Sequence, residues 1–135
     1  MAYDHAGSGI TLTLEAAADL SSNQYNFVKL DANGKVVICD ASTSAQKPIG
    51  VLQNAPDASG KAATVLVVGI SKIEAGVAFN EGDLIAASDN GSSADDGQAV
   101  AADAGDYVAG QIITAGAADE YLTAAINCAS LALVA

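Results

Sequence analysis

The sequence contains no arginine and no tryptophan, a single histidine, two cysteines and only five lysines among its 135 residues. Without arginine the bidentate forks that grip phosphate are missing, and five lysines against 16 acidic residues leave a formal charge of -11. A surface of that sign repels polyanions, so nucleic acid and anionic membrane are excluded as partners. No run approaches the roughly 18 apolar residues of a membrane-crossing helix. The first ten residues carry Asp4 where a secretory leader needs positive charge, which implies cytoplasmic synthesis. Cys39 and Cys128 lack the CxxC spacing of a redox or zinc motif. They read as small buried hydrophobes, with a disulfide as the alternative.

The same scarcity limits chemistry. His5 is the one histidine, and it lies in a glycine- and serine-containing stretch that cannot hold a general base in fixed geometry. One histidine and two distant cysteines cannot complete a structural zinc site. Asp31 and Asn33 match positions one and three of an EF-hand loop, but Val36 stands where glycine is needed and Ser42 where glutamate is needed. The acidic residues Asp89, Asp95 and Asp96 make a hydrated loop, and the pairs Asp119/Glu120 and Glu81/Asp83 belong to turns. There is no nucleophile elbow, dinucleotide turn or phosphate loop. The residues point to a non-enzymatic chain with no cofactor and no metal.

What is present is apolar: 51% of the residues, of which 30 are alanine. The length suits one domain, and the larger apolar residues suffice for one core. Alternation at residues 10–14, a run at 27–30 and another at 36–38 separated by Asn33-Gly34, and a short run at 48–52 all read as strands. Residues 63–70 form the longest β-branched run, too continuous for one wet face, and predict a buried central strand. Residues 107–114 and 121–127 predict two more strands, and 131–134 an edge segment; residues 15–20 allow one helical turn. The fold class is all-β, a barrel or sandwich, against which the alanine content is the main counterweight. Residues 1–10 read as an N-terminal arm and 11–135 as a single β domain.

The order of these motifs resembles that of tailed-phage capsid cement, or head decoration, proteins. The resemblance is carried by Leu12 to Leu14 followed by Ala16 to Leu20, Tyr25 to Leu30 with Asn33 and Gly34, and Pro48 to Asn54. It continues through Gly60, Lys61, Ala62, Ala63, Thr64 and Val65, then Gly69 to Lys72, Gly76, and Gly82 to Ile85, covering most of residues 10–110. It implies a small β-tulip or barrel-like domain. It also implies a structural role on the outer surface of an expanded icosahedral head, usually as a homotrimer touching the major capsid protein through the arm. Tyr3, His5, Ile10 and Leu12 are then the expected capsid-binding residues. The long polar loop 88–97 and the tail after Asn127 depart from the family's pattern. A small surface-exposed binding module, adhesive or carbohydrate-binding, is the alternative.

Overall fold

A computed structural model describes residues 9–41 and 45–135. Eleven strands and one 3-10 turn follow in chain order. β1 (Ile10–Glu15), β2 (Phe27–Leu30), β3 (Val36–Ile38), β4 (Gly50–Leu52) and β5 (Ala62–Glu74) form the first part. β6 (Leu84–Ala87), the 3-10 turn Ser93–Asp95, β7 (Ala99–Ala101), β8 (Tyr107–Val108), β9 (Gly110–Ile112), β10 (Tyr121–Asn127) and β11 (Ala132–Leu133) complete it. Nine strands make one curled, half-barrel sheet in the order β3-β2-β4-β5-β10-β9-β6-β7, with β1 also paired to β5; β8 and β11 make a separate pair. All pairings between these strands are antiparallel.

The β-branched run predicted to be central is β5, which extends four residues further, to Glu74. β1 covers its first half, from Ala62 to Val68, and β10 its second half, from Val68 to Glu74. Between these halves the register breaks: Ile10 faces Val68 while Thr11 faces Leu66, so Val67 has no partner on β1. This is a β-bulge, and an extra residue swaps which side of the sheet every later side chain meets. The Val67 carbonyl instead accepts a bond from the Cys128 N–H at 2.9 Å. Just beyond the bulge, Gly69 adopts φ +149, and a Cβ there would lie 2.9 Å from the Cα of Gly9. Two glycines meet where the start of β1 crosses β5, because any side chain would hold the backbones apart.

The sheet itself divides the core in two, where the count of apolar residues predicts a single one. On β2, β4 and the first half of β5, neighbouring residues point to opposite faces. Phe27, Val51 and Leu66 enter the larger cluster, whereas Val28, Leu52 and Val65 enter a smaller one with Ala16, Leu20, Val36 and Ala63. Past the bulge the odd-numbered Val67, Ile73 and Ala75 join the larger cluster, with Leu122, Ala124, Ile126, Ile112 and Ile85 across the sheet. A run buried on both faces has no alternation to show.

Residues 15–20 form no helical turn. Glu15 ends β1, Ala16 bridges Val36, and the Leu20 N–H bonds the Pro56 carbonyl at 2.8 Å. The segment lies as an extended cover over the smaller cluster. The Asn33-Gly34 hairpin is present, but only Gly34 has positive φ, at +75. Its loop runs from Asp31 to Lys35, closed by the Asp31 N–H to Lys35 carbonyl bond at 2.8 Å. Asp31 Oδ1 accepts from the N–H groups of Asn33 and Lys35, as in a three-residue loop ending in a left-handed glycine. The alanines that argued for helix serve as small core residues: Ala75, Ala87, Ala99, Ala109 and Ala124 fill the larger cluster.

Candidate interaction face

Beyond the bulge one side of the sheet is covered by the larger cluster and the other only in places, as at Thr123 on β10 and Ala86 on β6. Ile70 on β5 stands opposite Ala125 on β10, Ala125 opposite Gln111 on β9, and Gln111 opposite Leu84 on β6. Directly opposed residues share a face, so these four form a row pointing away from the larger cluster. Ile70 is 37% exposed and Leu84 51% exposed. Beside the row runs a groove of about 270 Å³, lined by Leu84, Val108, Gln111, Ala125, Asn127 and Ala132. Its floor is backbone at Gly110, where any Cβ would collide with the Ala125 carbonyl.

At the opposite end of β10 stands an aromatic corner. Tyr25 and Tyr121 meet edge to face with ring centroids 5.8 Å apart, and the Lys72 ammonium lies 5.5 Å from the Tyr25 centroid. Tyr25 has a positive φ of 68, a strained conformation for a bulky residue. Two backbone bonds fix it there: its N–H to the Leu52 carbonyl at 2.7 Å, and its carbonyl from the Glu74 N–H at 3.0 Å. Burial raises the Tyr121 hydroxyl above its ordinary pKa, and the neighbouring Glu74 adds to the effect. The Glu74 carboxylate accepts a bond from Gln98 Nε2.

Tyr3 and His5 lie outside the described residues. Ile10, expected at the end of the arm, is the first residue of β1 and is 65% exposed. Leu12 is half-buried and packs against both core clusters, so of the two it is Ile10 that offers its side chain to solvent.

Asp83 and Glu120 occupy the turn positions that their sequence settings suggested, whereas Asp89, Asp95 and Asp96, read as a hydrated loop, are half-buried. Asp83 Oδ2 accepts from the Asn80 N–H, and Glu120 Oε1 from the Ala117 N–H. Asp96 Oδ1 bonds the Ala41 N–H at 2.8 Å, and Asp95 Oδ2 the Asn90 amide at 2.6 Å. Asp89 is pushed above the usual carboxylate range, first by burial and then by its hydrogen bond to Asp106 and the charges of Asp106 and Asp103. Among the described residues no group of three or more acidic, cysteine or histidine side chains is placed to hold a metal ion. Cys39 and Cys128 are free thiols buried in the larger cluster. Burial pushes both up to about 12, an effect that the Lys29 charge partly offsets at Cys39. Neither is a thiolate near neutral pH. No helix among the described residues is long and apolar enough to cross a membrane.

The fold has a counterpart among solved structures. The head fiber gp8.5 N base of bacteriophage phi29 superposes with a TM-score of 0.60, covering 88% of this chain and 94% of that one at 16% identity. At that identity the likeness is one of fold. No family model matches the sequence, and no curated protein matches it.

The row from Ile70 to Leu84 is invisible in the sequence, because its members come from four separate stretches. Part of the signal is nonetheless there. In β10 Leu122, Ala124 and Ile126 point inward, which leaves Tyr121, Thr123 and Ala125 to the other side, where Thr123 is buried and Tyr121 and Ala125 are exposed. β7 also escapes a sequence reading: its three residues, Ala-Val-Ala, carry almost no strand preference of their own.

Proposed function

We propose that this chain is a structural protein of a phage head, a decoration protein that docks on the outer surface of the expanded shell and stabilises it, as trimers. The observation that carries this reading is the fold shared with the phi29 head fiber base across 88% of the chain. The ordered motifs between residues 10 and 110 point the same way. A charge of -11 without arginine suits an outer surface and not one facing packaged DNA. The chain is not an enzyme in this reading. It needs no cofactor, its carboxylates serve turns, and its thiols are buried and protonated.

In the proposed mechanism the β domain is a rigid body, and residues 1–9 with Ile10 make the contact to the major capsid protein. Tyr3 can bury a ring while keeping its hydroxyl bonded, and His5 can add a hydrogen bond. Ile10 projects from the edge of β1, and Leu12 anchors that strand through its packing on both clusters. Fixing the backbone of the arm on the capsid costs roughly 1–2 kcal/mol per residue, so one arm binds weakly. Three arms on one trimer gain on the order of a hundredfold or more through effective concentration. Bound trimers then tie neighbouring capsid subunits together.

The test mixes purified protein with expanded heads that lack it, followed by electron cryomicroscopy and thermal melting of the shells. Added density over the local three-fold positions and a raised melting temperature are expected. Deleting residues 1–9 is expected to abolish both while the far-ultraviolet spectrum stays unchanged. Absence of density with the full chain would overturn the reading.

A further inference from the structure

The outward row and its groove have no role in the docking mechanism above, and their chemistry asks for a partner. We propose that the outward face of β10, β9 and β6 is the surface on which a second copy of this chain packs. The inference deepens the structural role proposed above and rests on that reading only for the three-fold symmetry of the assembly.

Charge selects the occupant. Two copies that each carry -11 repel one another wherever their acids face. Among the described residues the acids sit on loops and turns, apart from Glu15 on β1, Glu74 on β5 and Asp95 in the 3-10 turn. Ile70, Ala125, Gln111 and Leu84 bear no charge. The nearest ionisable groups on β5 are already engaged: Lys72 lies over the Tyr25 ring, and Glu74 is bonded to Gln98. A partner of opposite charge would meet its complement on the acidic loops. A partner of the same charge can come close only across a face such as this one.

Shape and polarity agree. Ile70 and Leu84, at the two ends of the row, are 37% and 51% exposed, and exposed large apolar side chains gathered on one face mark association surfaces. The groove, at about 270 Å³, lies below the usual range of roughly 300–1,000 Å³ for small-molecule pockets. It suits a projecting side chain of a neighbouring subunit. In a cyclic trimer that neighbour presents a different surface to the groove, because head-to-tail contacts around a three-fold axis are heterologous.

Sedimentation of the full-length protein, across concentration and at low and high salt, tests the proposal. Association is expected, and it is expected to tighten as salt screens the like charges. Leu84→Asp and Ala125→Asp, both at exposed sites, are each expected to weaken association at least tenfold with an unchanged far-ultraviolet spectrum. Leu30→Asp, at an exposed site on β2, is expected to leave it intact. A wild-type monomer at every salt concentration would overturn the inference, as would variants on the row that associate like the wild type, or equal loss in Leu30→Asp. Head binding separates the two readings. An oligomer built through this face that leaves heads bare keeps the inference and overturns the proposed function, whereas a monomer that decorates heads does the reverse.

Discussion

The two halves of β5 are made from similar residues and live in different surroundings. Ala63 and Val65 are buried against the smaller cluster and Leu66 against the larger one, so the first half is covered on both faces where it nears the bulge, while Thr64 is half-buried and Ala62 exposed. In the second half Ile73 is buried while Ile70 is 37% exposed. Burial on both faces makes every residue a packing residue. Burial on one face leaves every second residue available for contact with something else. A single strand thus serves as core at one end and as presented surface at the other.

The largest expected effect lies on the doubly covered side. Phe27 is fully buried in the larger cluster, and Phe27→Ala is expected to cost about 4 kcal/mol in urea unfolding. Leu52→Ala empties the smaller cluster, and about 3 kcal/mol is expected. Unfolding should remain a single transition, because β5 belongs to both clusters; two transitions would break the comparison by making the smaller cluster an independent unit. Gly69→Ala forces a side chain into φ +149 against Gly9, with an expected loss of about 2 kcal/mol. On the presented side Ile70→Thr should change stability by no more than about 0.5 kcal/mol. A loss as large as that of Leu52→Ala would mean that this face is core after all.

The smallest effect is one of pH. The folded state raises the Asp89 pKa, so Asp89 favours folding when protonated. Its contribution is complete below the ordinary carboxylate pKa and is lost as pH rises through the raised value. Asp89→Asn is therefore expected to gain stability relative to wild type between acid and neutral pH, read as a melting-temperature difference that widens as pH rises. Asp57 has the opposite sign. Its pKa is lowered by the hydrogen bond and charge of Lys61, so its contribution disappears as pH falls below the ordinary value.

How much of this was legible in the sequence depended on whether a signal was local. β10 could be delimited at Tyr121 and Asn127, because turn residues bracket it and large residues alternate within it. The centrality of β5 could be read from a continuous β-branched run. The extended course of residues 15–20 could not, since Ala16, Ala17 and Ala18 favour helix and tertiary bonds to Lys61, Val36 and Pro56 override that preference. Two clusters replaced one because counting apolar residues measures their quantity and not the faces they occupy. The candidate face was hidden for a related reason: Ile70, Ala125, Gln111 and Leu84 become neighbours only through register, which no single stretch encodes. Of the expected contact residues, the alternating pattern located Ile10 at the start of β1, while Leu12 carries a packing duty that its sequence setting does not reveal.

The unpaired residue in β5 has a kinetic meaning as well. The first half of the strand pairs with β1 and β4, all within the first 74 residues, whereas the second half pairs with β10, which ends at residue 127. Contacts that close shorter loops form sooner on average, so the β1-β4-β5 unit can be complete while β10 is still searching. Because Val67 absorbs one residue between the two halves, the alignment adopted first does not dictate the one adopted later. Deleting Val67 would remove the bulge. With Thr11 still opposite Leu66 and Ile10 opposite Val68, the ladder would become unbroken and Ile73 would keep its inner face, so deletion is expected to leave the register intact and to cost the buried Val67 side chain and the bond from its carbonyl to the Cys128 N–H.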